Sequence, residues 1–179
     1  MQQTRQNTRG FTFVEVCVAC VTLAVLLAQA VPAMKRFQQR QRLQGIAQTL
    51  MTDLQQARSE AVQRADVIQL RFSQHPQGSC YVMHRGTAGQ CRCNDEGQAV
   101  CDAPGLLLKT QWVPSSRSAS IRANVGNLSF QAAQGAVSPT GSIDVASADG
   151  AAIRHIISIA GRVRSCSPDG GFTQLPRCA

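Results

Sequence analysis

The chain changes its hydrophobic pattern three times. Residues 1–9 are polar and basic. From Phe11 to Met34 the sequence is apolar and free of charge except at Glu15. As a helix rising ~1.5 Å per residue, this run spans about 36 Å, enough to cross a hydrocarbon layer of roughly 30 Å. Pro32, near its end, is expected to kink or loosen the helix. From Lys35 to Arg64, Leu43, Ala47, Leu50, Leu54, Ala57 and Ala61 recur at alternating steps of four and three. That spacing lays one apolar stripe along an amphipathic helix, widened by Ile46 and Met51. Gln, Arg, Asp and Glu are expected on its other faces, and Gly45 is a weak point. The two runs read as one rod, soluble in its second half.

After Asp66 the period falls to two. Ile68, Leu70 and Phe72 alternate with polar residues, which predicts a strand. Further strands are predicted at 80–84, 106–113, 119–123, 127–131, 142–146 and 153–160, separated by turn signals such as His75-Pro76-Gln77-Gly78 and Asp149-Gly150. Residues 161–166 either continue the last strand or follow a bulge at Gly161. Residues 86–105 read as a Gly- and Cys-rich loop. The fold class is α+β: a long N-terminal helix, transmembrane then amphipathic, packed by its Leu43–Ala61 stripe on a small antiparallel β domain. The expected segments are 1–10, 11–34, 35–66 and 67–179.

Charge adds a partner class. Eighteen Lys and Arg against ten Asp and Glu give a formal charge of +8. Such a balance suits nucleic acid, anionic lipid or an acidic protein, or serves solubility alone. Residues 1–9 lack the apolar core and A-x-A site of an ordinary secretory signal. Arg5 and Arg9 favour a cytoplasmic N-terminal end, although Lys35, Arg36, Arg40 and Arg42 weaken that asymmetry. Glu15 is the misplaced residue. An ionised carboxylate at membrane depth costs about 2.5–3.5 kcal/mol and calls for a partner, unless it sits at headgroup level.

Cys17 and Cys20 suit small apolar fillers. Cys80, Cys91, Cys93, Cys101, Cys166 and Cys178 are disulfide candidates. A zinc site at Cys80, Cys91, Cys93 and Cys101 is the alternative, but it lacks a C-x-x-C pair. His75, His84 and His155 show no ligand spacing, and no phosphate loop or nucleophile elbow is present. No catalytic residue, metal or cofactor is expected, and the chain does not read as an enzyme.

The run G-F-T-F-V-E resembles the class III signal of type IV prepilins, with Gly10, Phe11 and Glu15 at its motif positions and Pro32 where that family carries a proline. Leu50–Arg64 (LMTDLQQARSEAVQR) resembles the helix end of the GspH/FimT branch of minor pilins and pseudopilins. Ile157–Cys166 (ISIAGRVRSC) resembles the final strand and GRxR motif of the FimT-type members. Residues 86–105 have no counterpart in that pattern. The resemblance implies cleavage by a prepilin peptidase between Gly10 and Phe11, then N-methylation of Phe11. It implies a single-pass inner-membrane protein with its C-terminal domain in the periplasm, later drawn into a filament of pilins or pseudopilins. Glu15 would neutralise the new Phe11 amine, its own or a neighbour's, and breaking such a buried pair would cost about 3–5 kcal/mol. A side chain at Gly10 would obstruct the peptidase.

An extended Gly161-Arg162-Val163-Arg164 would put both arginines on one face, roughly 6.6–6.8 Å apart, with Val163 inward and Gly161 as a turn residue. That spacing suits phosphates along one nucleic-acid strand, which arginine forks grip without reading sequence. Arg154, and with it Arg117, Arg122 and Lys109, would widen the patch. Two arginines on an exposed strand are otherwise a solvated face; what the resemblance to the FimT-type members implies is a double-stranded DNA partner, taken up in natural transformation. The alternatives are a structural type II secretion pseudopilin, a subunit that primes pilus assembly without touching DNA, and a plain single-span membrane protein. Cys166 and Cys178 are expected to tether the C-terminal tail beside the basic strand; sequence does not choose the other pairings.

Overall fold

The computed structural model describes residue 10, residues 12–117 and residues 119–178. The chain divides into two compact units, Met1–Gln38 and Gln39–Ala179. One helix, α1 (Phe13–Arg64), passes through Pro32 without ending there. In the first unit its described side chains are exposed, and the helix is long and apolar enough to cross a membrane. It ends where Ala65 takes a positive φ of 51°. Asp66 Oδ1 then accepts from the Val67 amide at 2.8 Å and turns the chain toward the first strand.

Eleven strands follow: β1 (Ile68–His75), β2 (Gly78–Arg85), β3 (Cys91–Cys93), β4 (Ala99–Cys101), β5 (Leu107–Pro114), β6 (Ala119–Ala123), β7 (Asn127–Phe130), β8 (Val137–Ser138), β9 (Gly141–Ser147), β10 (Ala152–Ile157) and β11 (Val163–Cys166). They form a five-stranded sheet, β5-β2-β1-β7-β8, a four-stranded sheet, β11-β10-β9-β6, and a two-stranded hairpin, β3-β4. Every pairing between these strands is antiparallel. The α+β class read from the sequence is the observed one.

The helical stripe makes the core. Leu43, Ala47, Leu50, Leu54, Ala57 and Ala61 are buried in one cluster with Ile68, Leu70, Tyr81, Met83, Leu128 and Phe130 of the first sheet. Ile121, Ile143, Val145, Ile153 and Ile157 of the second sheet join the same cluster. The stripe is thus shared by both sheets. Each fully buried Leu or Ile side chain contributes about 1.5–3 kcal/mol.

One helical residue breaks the expected pattern. Asp53 is buried to 1% exposure rather than on a polar face. It stands seven residues after Ile46, so the helical repeat carries it onto the packed side. The Tyr81 hydroxyl donates to its Oδ2 at 2.5 Å, and the Lys109 ammonium lies 2.6 Å from Oδ1. Burial and the adjacent carboxylate push the Tyr81 hydroxyl far above its ordinary pKa, so it remains a donor. Asp53 therefore joins α1 to β2 and β5 through polar contacts inside an apolar core.

The stretch expected to be a loop, 86–105, contains the β3-β4 hairpin. Cys91 pairs with Cys101 across it, and Cys93 binds Cys80 of β2. This covers the second face of β2, whose Cys80 and Val82 are buried beneath it with Trp112 alongside. Gly97, at φ +79°, lies so close that a Cβ there would sit 2.3 Å from the Trp112 ring. Covalent links and an indole lid build this hairpin, so it shows no alternating apolar pattern.

Asp53→Ala strands the Tyr81 hydroxyl and the Lys109 ammonium. We expect it to destabilise the fold by about 3 kcal/mol. Lys109→Ala, which removes a partner that water can reach, should cost less. Urea unfolding of both variants checks the order.

Candidate anion groove and the helix start

At the N-terminal end, Gly10 is exposed and has open space around it, and Phe11 lies outside the described residues. Thr12 caps the helix: its Oγ1 accepts from the Glu15 amide at 3.3 Å. Glu15 is the third helical residue, so Thr12-x-x-Glu15 has the spacing of a capping box. A carboxylate in the first turn also complements the positive end of the helix dipole. Glu15 thus has a local reason to be acidic, and the T-x-x-E spacing was its overlooked signal.

At the other end of the chain, β10 and β11 form a hairpin whose last pair is Ile157 with Val163. β10 stops at Ile157, not at residue 160. The Ser158 amide donates to the Arg162 carbonyl at 3.0 Å, and the Gly161 amide to the Ser158 carbonyl at 2.8 Å. Gly161 has φ +71°, and a Cβ there would stand 2.2 Å from the Gly135 carbonyl oxygen. A left-handed backbone and a crowded neighbour both exclude other residues. The turn is tied to β8 as well, since the Val137 amide donates to the Ile159 carbonyl at 2.8 Å.

Arg162 and Arg164 are exposed, while Val163 between them packs against the core. Neither arginine has an ion-pair partner among the described residues. Beside them runs an open groove of about 660 Å³, lined by Gln55, Arg58, Val62 and Gln63 of α1 and by the Gly161–Arg164 segment. Three arginines and no carboxylate line it.

The other cations are placed differently. Arg154 grips Asp144 with two hydrogen bonds, Nε to Oδ1 at 2.6 Å and Nη2 to Oδ2 at 2.8 Å. That carboxylate, through hydrogen bonding first and charge second, pushes the guanidinium above its ordinary pKa. Arg122 faces Asp144 across β6 and β9. Lys109 lies on Asp53, and the Arg117 side chain is outside the described set. Cys166 and Cys178 form the third disulfide, and Ser167 bridges Arg177 in parallel beside it.

His155 fastens this hairpin to the helix. It is buried, with Nε2 3.0 Å from the Ala47 carbonyl and Nδ1 2.8 Å from Ser165 Oγ. The neutral ring satisfies both contacts: Nε2–H donates to Ala47, and Nδ1 accepts from the Ser165 hydroxyl. Burial lowers its pKa, against the opposing effects of the Ala47 hydrogen bond and the Asp144 charge.

The family described as Type II transport protein GspH matches residues 47–161. The chain belongs to the GspH family. No curated protein matches it. Its fold resembles the type IV minor pilin FimU of Pseudomonas aeruginosa strain PAO1. One crystal form gives TM-score 0.55 at 23% identity, covering 74% of this chain and 97% of FimU. A second gives TM-score 0.51 at 22% identity, covering 70% and 97%. This GspH-family chain is a pilin or pseudopilin subunit whose N-terminal apolar helix anchors it in a membrane. The match ends at Gly161, so Arg162 and Arg164 lie just beyond it.

Two outcomes follow from the hairpin's anchoring. Between the lowered folded pKa of His155 and its unfolded value of about 6.5, the unfolded chain binds more protons. The His155 contribution is therefore complete above about pH 6.5 and is lost as pH falls through the folded pKa. Thermal unfolding against pH should show this loss, and His155→Gln should remove that part of the slope. Gly161→Ala should destabilise the fold by at least about 1–3 kcal/mol, a cost read by chemical denaturation.

Proposed function

We propose that this GspH-family subunit is a minor pilin that captures double-stranded DNA on the β10-β11 hairpin for uptake. Arg162 and Arg164 are the contacting residues, Gly161 fixes their turn, and Arg154 stands at the margin. The observation that carries the reading is the pairing of two exposed arginines on a hairpin locked by Gly161, without a carboxylate beside them. Each guanidinium presents a planar fork to a phosphate, and such contacts give affinity for any sequence. Arg154 contributes less because Asp144 already holds its fork.

The N-terminal part of the proposal concerns assembly. A prepilin peptidase cuts between Gly10 and Phe11 and methylates the Phe11 amine. The mature chain stands in the inner membrane with its C-terminal domain in the periplasm, then joins other pilins in a type IV pilus. Glu15 serves twice, completing the helix cap and neutralising the Phe11 amine of its own or a neighbouring subunit. A second reading, a structural type II secretion pseudopilin, is favoured by the family's description and by a match that stops before Arg162.

DNA binding by the full-length protein in detergent separates the two. The proposal expects binding that weakens with salt, and a slope of log affinity against log salt that becomes shallower by about 1.8 in Arg162→Ala/Arg164→Ala. Binding absent in the unaltered chain favours the structural reading; binding unchanged in that variant removes the hairpin as the DNA site. Mass spectrometry of the mature N-terminus should find N-methylated Phe11, and Glu15→Gln protein should be excluded from filaments.

A further inference from the structure

The groove beside the hairpin holds a third arginine, supplied by the helix. Arg58 is half-buried, and its stem lies against two glycines from separate loops. A Cβ on Gly135 would stand 2.8 Å from Arg58 Cγ, and one on Gly161 would stand 3.1 Å from both Cδ and Nε. Both glycines have positive φ, 61° and 71°. The loop bearing Gly135 is pinned in turn, because the Ala133 amide donates to the Ala61 carbonyl at 3.3 Å. The stem is therefore held on both sides by backbone.

Its charge is unanswered. Residues three and four positions away on the helix are Leu54, Gln55, Ala61 and Val62, so no local carboxylate can pair with it. No ion pair engages it among the described residues. Across the groove stand Arg162 and Arg164. Farther across the same sheet the balance differs: Asp144 of β9 stands opposite both Arg154 and Arg122 and offsets their charge.

We propose that Arg58 is a third phosphate-contacting residue, and that a phosphodiester backbone lies in the groove between α1 and the hairpin, along the β11 edge, rather than farther across the sheet over β9 and β6. The proposal rests on the DNA-binding reading. Opposed walls carrying forks of donors grip an elongated polyanion from two sides. A stem already immobilised loses little conformational freedom on binding. The Val62 and Val163 side chains give the groove an apolar lining between the cations.

The test uses the full-length protein in detergent and a fluorescent DNA duplex of mixed sequence. Arg58→Gln should weaken binding several-fold and make the salt slope shallower by about 0.9, the loss of one phosphate contact. In parallel, the unaltered chain is treated with an arginine-selective dicarbonyl reagent, with and without DNA, and modified sites are read by mass spectrometry. DNA should protect Arg58 together with Arg162 and Arg164, while Arg92 on the distant β3-β4 hairpin stays reactive. This second measurement decides the matter even if Arg58→Gln fails to fold. Arg58 modified equally with and without DNA, while Arg162 and Arg164 are protected, overturns the groove and leaves the hairpin reading standing. DNA binding unaltered in Arg162→Ala/Arg164→Ala overturns the hairpin reading and this inference with it.

Discussion

Burial of one helical stripe between two sheets is the constraint on which the rest of the structure depends. Leu43 through Ala61 joins residues of both sheets in one shared core. Polar contacts at two helical positions set its register. Asp53 reaches Tyr81 and Lys109 in the first sheet, and the Ala47 carbonyl receives His155 from the second. Apolar burial alone tolerates sliding, whereas a buried carboxylate or imidazole must meet its partner or lose its hydrogen bonds. The helix thereby fixes where the β10-β11 hairpin ends and which side chains its tip presents.

Much of this was legible in the sequence because it follows from periodicity. The 3.6-residue stripe named the buried helix face, and the period-two stretches located most strands of both sheets. Asp53 escaped because its residue type argues for solvent, although its spacing from Ile46 argues for the core. The β3-β4 hairpin escaped because disulfides and Gly97 against Trp112 build it, leaving no alternation to read. The end of β10 at Ile157 depends on Gly135 of a distant loop meeting Gly161, a contact that no local pattern encodes. Arg58 was passed over for the same reason: it looked like one more charge on a solvated face.

The electrostatics of the β domain are uneven in a way that composition conceals. Some of its basic residues are answered by a carboxylate, as Arg154, Lys109 and Arg64 are, whereas Arg58, Arg162 and Arg164 gather at one groove without an ion-pair partner among the described residues. Net charge raises the encounter rate with any polyanion, but unpaired, positioned forks decide where it settles. The Cys166–Cys178 link and the Ser167–Arg177 bridge hold the tail beyond β11, so the hairpin is braced on its C-terminal side as well.

The central claim is that nucleic acid meets this GspH-family subunit at the end of the β10-β11 hairpin. Photo-cross-linking of DNA to the intact protein, with the attached peptides identified by mass spectrometry, tests it most directly. The account predicts adducts within residues 158–164 and on the facing helical segment 55–63. Adducts confined to the sheet around Arg122 and Arg154, or to the β3-β4 hairpin, would contradict it.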